Sequence, residues 1–172
     1  MKTRVTFGVA LFLAGAAFHV LFGYLWGLSA PSPQWLLLTV LAVGALGRVN
    51  TAQSLGFFWG LFLDVQGSSL FGAQGWILAA AGFATGRLSR HVDADKPLAQ
   101  AVLAVGGTFF HLVFLALIEA VFRQGGRSHV PGPGAMLVQL LMNVAAAPLV
   151  FAAVAAWARR AAFGGEDHVF RS

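Results

Sequence analysis

The chain has 172 residues, of which 58% are hydrophobic, 13% aromatic and only 10% charged, and its mean hydropathy is +0.77, whereas an ordinary soluble domain carries about a quarter charged residues. Too few polar side chains remain to cover a folded surface in water, so the composition excludes a soluble globular domain and points to an all-α integral membrane protein of several helices. With no cysteine the chain has no disulfide, thiol nucleophile or thiolate metal site, and the net charge of +5 reads as membrane orientation rather than nucleic-acid binding, because most basic residues flank apolar segments.

A single transmembrane domain over 1–172 is expected, with six apolar segments at about 5–28, 34–47, 53–66, 69–86, 98–122 and 136–158. The first opens with Lys2 and Arg4, as a secretory leader does. Its apolar run from Val5 to Leu28 exceeds the roughly 7–15 residues of a cleavable leader core, so a retained transmembrane helix is expected. Ala10, Ala14 and Ala17, with Gly15, form a small-residue face on which another helix could pack closely. Segments two to four are short and interrupted by Gly, Ser, Asn or Gln, and are expected to form an inner, closely packed group; a re-entrant hairpin of segments three and four is the alternative. Segments five and six, like the first, are long enough to span with some tilt.

Six alternating passes place Lys2, Arg4, Arg48, Arg87, Arg90, Lys96, Arg159, Arg160 and Arg171 on one side and Arg123 and Arg127 on the other, nine against two of the 11 basic residues. Cytoplasmic loops carry the excess of Lys and Arg, so both termini are expected to be cytoplasmic. The connections SAPSPQ and RQGGRSHVPGPG then face outside and RLSRHVDADKP faces inside, and none is long enough for a soluble catalytic domain. Arg87, Arg90 and Lys96 either fix the orientation or hold a lipid headgroup or acidic partner.

Ionisable residues inside membrane segments are costly and mark candidate functional positions. Here they are His19, Asp64, His111 and Glu119. His111 and Glu119 lie about 12 Å apart along a helix axis at 1.5 Å per residue, with only LVFLALI between them. A proton relay through them lacks intermediate polar groups, and a neutral His111 bonded to a neighbouring helix is the better expectation. Asp64 ends GFFWGLFLD, just before the polar stretch QGSS. It marks the water boundary, caps the next helix through backbone N–H groups, or pairs with a basic residue such as Arg123 or a residue of a partner protein, roles that can overlap. No H-E-x-x-H, G-x-S-x-G or Walker A pattern occurs and the five histidines are scattered, so no catalytic residue, cofactor or metal is assigned.

The stretch GFFWGLFLDVQGSSLFGAQGWILAAAGFATGRLSR resembles the signature region of the rod shape-determining protein MreD family. The resemblance rests on a Gly-x(3)-Gly-Leu-x(2)-Asp run at Gly56, Gly60, Leu61 and Asp64, a Leu-x-Gly turn at Leu70 and Gly72, a small-residue helix through Gly82, and the Gly-Arg-Leu end at Gly86, Arg87 and Leu88. It covers about residues 31–90, roughly a third of the chain. It implies a small multi-pass protein of the bacterial cytoplasmic membrane without enzyme activity, binding MreC and, through the cell-elongation assembly, RodA, a transpeptidase and the MreB filament. Asp64 and its flanking glycines would then shape the outer end of the bundle and bear on partner binding, with no catalytic role. The glycine-rich outer segment RQGGRSHVPGPG departs from the typical family pattern. The alternative is the substrate-binding S component of an energy-coupling-factor vitamin transporter, which is expected to share a six-helix bundle fold and for which Ala10 and Ala14 resemble a docking motif.

Overall fold

The computed structural model describes residues 2–26, 32–66, 70–93, 95–122 and 132–163, and among them every regular element is an α-helix. In chain order these are α1 (Lys2–Trp26), α2 (Trp35–Ala45), α3 (Val49–Gln66), α4 (Ala73–Leu88), α5 (Pro97–Phe122) and α6 (Pro133–Phe163). Three of them, α1, α5 and α6, are long and apolar enough to cross a bilayer. Their outward surfaces bear large exposed apolar side chains, such as Leu13, Leu21 and Leu25 on α1, Phe109 and Leu117 on α5, and Leu141 and Leu149 on α6. Apolar surface on that scale is untenable in water and is what a lipid-facing helix presents, so the chain is a helical membrane protein.

Helix directions alternate. Gly8 of α1 lies against Thr51, and His19 of α1 lies against Phe62, so α1 and α3 run the same way. Gly86 meets Val49 and Gly60 meets Gly75, so α4 runs against α3. Gly44 near the end of α2 meets Thr85 and Gly86 near the end of α4, so α2 and α4 are parallel. A left-handed Gly47, at φ 74, allows the tight return from α2 into α3; its N–H donates to the Gly44 carbonyl at 2.8 Å.

The centre of the bundle is α2. Eight of its 11 residues are buried, on all sides of the helix, which is the pattern of a helix enclosed by others. At about 1.5 Å per residue it is only about 16 Å long, too short to cross a hydrocarbon core of about 30 Å. Its partner pair α3–α4, about 27 and 24 Å long by the same rise, is joined by a seam of small residues. Ala52, Gly56 and Gly60 recur every four residues on α3 and face Gly82, Leu78 and Gly75 of α4. A methyl group built on Gly82 would sit 2.7 Å from the Ala52 carbonyl oxygen, and one on Gly86 2.8 Å from a Val49 methyl. The backbones themselves are in contact, the mode of association available to helices that gain nothing from hiding apolar surface from lipid. The expectation of an inner, closely packed group of segments two to four is thus met.

The α1 docking differs from expectation. Ala14 and Ala17 are exposed, and within the expected small-residue face it is Gly15 that a neighbouring helix meets. Trp59 of α3, fully buried, lies against Gly15, stacks on Phe12 and donates its indole N–H to the Phe12 carbonyl at 3.1 Å. This fit of one large side chain to one glycine is joined by Phe18 and Phe22, whose rings meet Trp35 edge-on.

Replacing Gly60 by Ala is expected to force α3 and α4 apart and cost about 1–3 kcal/mol. Gly106→Ala, on α5 where an added methyl meets nothing within 4 Å, is expected to be neutral or slightly stabilising. Thermal unfolding of both variants in detergent checks the pair.

Candidate functional site

The beginning of any helix leaves four N–H groups without intrahelical carbonyls. Inside an apolar bundle each must find a partner or cost free energy. At the start of α4 all four are accounted for. Gly72 donates to Asp64 Oδ2 at 2.9 Å, Ala73 to the Leu70 carbonyl at 3.0 Å, Gln74 to Asp64 Oδ1 at 3.1 Å and Gly75 to Asp64 Oδ2 at 3.3 Å. Gly72, at φ 94, turns the chain so that these amides converge on one carboxylate. Asp64 follows Gly60 by four residues and so continues the glycine seam, which delivers its carboxylate to the end of α4. Of the roles open for Asp64, capping is realised. At only 4% exposed it does not mark the water boundary, and pairing with Arg123 falls on a residue outside the described ones.

The start of α2 is treated in the same way by a different helix. The Gln34 N–H donates to Asn143 Oδ1 of α6 at 2.7 Å, and Asn143 Nδ2 donates to Gln34 Oε1 at 3.1 Å and to Thr108 Oγ1 of α5 at 2.8 Å. The Thr108 hydroxyl donates in turn to the Ala104 carbonyl at 2.7 Å. Gln139, one turn before Asn143, donates to the Ser32 carbonyl at 2.7 Å and ties down the chain entering α2. Asn143 and Thr108 are both fully buried, so their mutual satisfaction is what makes them tolerable there.

His111 joins the two capped ends. Its Nε2 lies 2.7 Å from Gln74 Oε1, which can only accept, and its Nδ1 lies 3.4 Å from Gln34 Nε2, which can only donate. That pairing assigns the proton to Nε2 and makes the ring a neutral bridge between the first residues of α2 and α4. Counting along α5, His111 is about 21 Å from the Pro97 end and about 16 Å from the Phe122 end, so the bridge meets α5 near its middle. The expectation of a neutral histidine bonded to a neighbouring helix is met, with two neighbours. Glu119 is two turns further along α5, and His19 packs edge-on against Phe62 at 6.4 Å.

The remaining signature positions fall on the same hairpin. Gly56, Gly60, Gly82 and Gly86 form the α3–α4 contact, Leu61 packs beside Gly75, and Gly72 is the turn. Arg87 is exposed in the last turn of α4, its guanidinium 5.2 Å from the centre of the Phe83 ring. Leu70 and Leu88 are exposed. Gln34, Gln74, Thr108 and Asn143 went unremarked in the sequence, although an amide or hydroxyl inside an apolar segment was a signal to read. Chemically, His111 faces amides, not a carboxylate that could make it a base. Among the described residues no group of three or more His, Asp or Glu is placed to hold a metal. No protein-family model, curated protein or solved structure matches the chain.

Asp64→Ala strands three N–H groups at about 1–3 kcal/mol each, and a loss of about 3 kcal/mol or more is expected, with Asp64→Asn intermediate because one acceptor survives. The check is a lowered unfolding midpoint together with faster amide exchange at Gly72, Gln74 and Gly75. Asn143→Ala is expected to cost about 2 kcal/mol and to speed exchange at the Gln34 amide while leaving Gln74 unchanged.

Proposed function

We propose that this chain is a non-enzymatic scaffold of the bacterial cell-elongation complex, similar to the MreD family, that binds MreC in the cytoplasmic membrane. In this reading six segments pass through the bundle, both termini are cytoplasmic, and the Asp64 end of the hairpin faces the outer side. The nine-to-two division of Lys and Arg and the alternation of helix directions support that topology.

The observation that carries the reading is that the family-like positions coincide with one rigid substructure. Gly56, Gly60, Gly82 and Gly86 make the backbone contact of α3 and α4, and Asp64 with Gly72 closes its outer end. A pattern built mainly of glycines and leucines with one carboxylate is what such a hairpin requires. A rigid centre with peripheral helices free to meet other membrane proteins suits a scaffold joining MreC to RodA and a transpeptidase outside and to MreB within. The vitamin-binding alternative needs polar groups converging on an outer ligand pocket. Among the described residues Gln34, Gln74, His111 and Asn143, polar groups on that half of the bundle, bond to one another instead.

Affinity capture from native membranes of a rod-shaped host is expected to recover MreC together with elongation proteins. Asp64→Ala is expected to lower MreC recovery several-fold at equal expression, and depletion to round the cells. Recovery of an ATPase module, or of a tightly held vitamin, would reverse the assignment in favour of the transporter.

A further inference from the structure

Between α1 and α6 runs a slot of about 380 Å³, floored by α2. Small residues give it its depth: Ala14 and Gly15 stand on the α1 wall and Ala153 on the α6 wall, none with a side chain long enough to cross the gap. Leu11, Leu36 and Val154, each at most 4% exposed, close the bottom, whereas Phe18, Leu149 and Trp157 are exposed along the rims. The slot therefore opens outward, between two helices long and apolar enough to cross a bilayer.

Its shape is set by the protein alone. Pro148, next to the slot on α6, has no N–H for the Val144 carbonyl, and helices bend at such a break. At the same end the Trp35 ring is fixed edge-on to Phe18 and Phe22, with ring centres 5.3 and 5.1 Å apart. The Trp35 indole nitrogen is buried and the Thr39 hydroxyl donates to the Trp35 carbonyl at 2.7 Å, so neither offers a donor to an occupant. No charged residue is among the described lining residues. An apolar cavity of this kind does not hold water, and leaving it empty forfeits the dispersion contacts of its walls.

Size selects the occupant. The eight-residue step from Leu149 to Trp157 makes the slot about 12 Å long, which with its volume gives a mean section of ~30 Å². A transmembrane helix with its side chains is about 10–12 Å across, a section of ~80–110 Å², and does not enter. An extended hydrocarbon chain with neighbours about 4 Å away on each side takes ~20 Å² and does.

We propose that the slot binds one acyl chain of a membrane phospholipid, inserted from the leaflet at the C-terminal end of α6. Leu149, Ala153 and Trp157 recur every four residues along the slot, and the exposed Arg160 continues their stripe toward that end of the helix. A chain entering there leaves its phosphate at the level of an arginine, and its middle carbons reach the slot, which lies about 9–21 Å from the Phe163 end. The site needs only the membrane embedding of the chain, so its failure leaves the scaffold reading standing, and failure of the MreC experiment leaves this site standing.

The test uses the full chain in nanodiscs of phosphatidylcholine and phosphatidylglycerol, with a small fraction of phosphatidylcholine carrying a diazirine midway along one acyl chain. After irradiation, labelled residues are located by peptide mass spectrometry. Labelling per residue within 11–18 and 149–157 is expected to exceed that at Val113 and Leu117, exposed on α5, by at least about fivefold. Ala153→Phe, which fills the slot from α6, is expected to lower slot labelling about fivefold. Ala14→Phe fills it from the opposite wall with the same expected loss, and serves where the first variant does not fold. Ala152→Phe, exposed on α6 outside the slot, is expected to leave the labelling unchanged. Labelling spread evenly over the exposed helix faces, or undiminished in the filled variants, would overturn the proposal. An unlabelled slot in particles holding two copies of the chain would also overturn it, by assigning the slot to a second copy.

Discussion

A helix that starts inside an apolar bundle exposes backbone N–H groups that water cannot reach, and the fold is arranged around that constraint. Asp64 answers it for α4 by receiving three amides, and Asn143 answers it for α2 by receiving the Gln34 amide. In both cases the acceptor comes from another helix, so the secondary structure of the short helices depends on tertiary contacts from the outset. An unsatisfied amide in hydrocarbon costs several kcal/mol, which is comparable to the net stability of a whole domain.

The glycine seam and the polar bridge are two halves of one solution. The seam sets the depth and phase of α3 against α4, and with them the position of Asp64. His111 then ties the capped start of α4 to the capped start of α2 through Gln74 and Gln34. Because the links run through side chains from α2, α4, α5 and α6, the register of four helices is specified by hydrogen bonds whose geometry a slip of one residue would break. Dispersion forces between apolar helices carry no such directional information. The α1 helix stands outside this network and is held by Trp59 against Gly15 and by the contacts of Phe18 and Phe22 with Trp35.

This division is compatible with the scaffold role proposed for the chain. A centre held by close backbone contact and directional bonds changes shape little when peripheral helices meet a partner. The two ends differ in character: near Asp64 the polar groups bond to one another, whereas Arg48, Arg87 and Arg90 line a recess at the other end.

Composition and charge distribution by themselves determined a helical membrane protein with three long apolar helices, since those properties follow from solvation of side chains and require no packing detail. The glycine spacing likewise made the close approach of α3 and α4 legible, because a four-residue repeat puts small residues on one helix face whatever the neighbour. Choosing among the roles of Asp64 required the tertiary structure, because the amides it accepts belong to residues eight to eleven positions away across a turn whose shape Gly72 sets. The partnership of Gln34, Gln74, Thr108, His111 and Asn143 was also decided only there, because those residues lie on four stretches of chain and nothing in a one-dimensional pattern orders helices separated by up to 109 residues. The alanine face of α1 misled for the same reason: small residues permit close packing, but only a partner of matching shape, here Trp59 at Gly15, determines where it occurs.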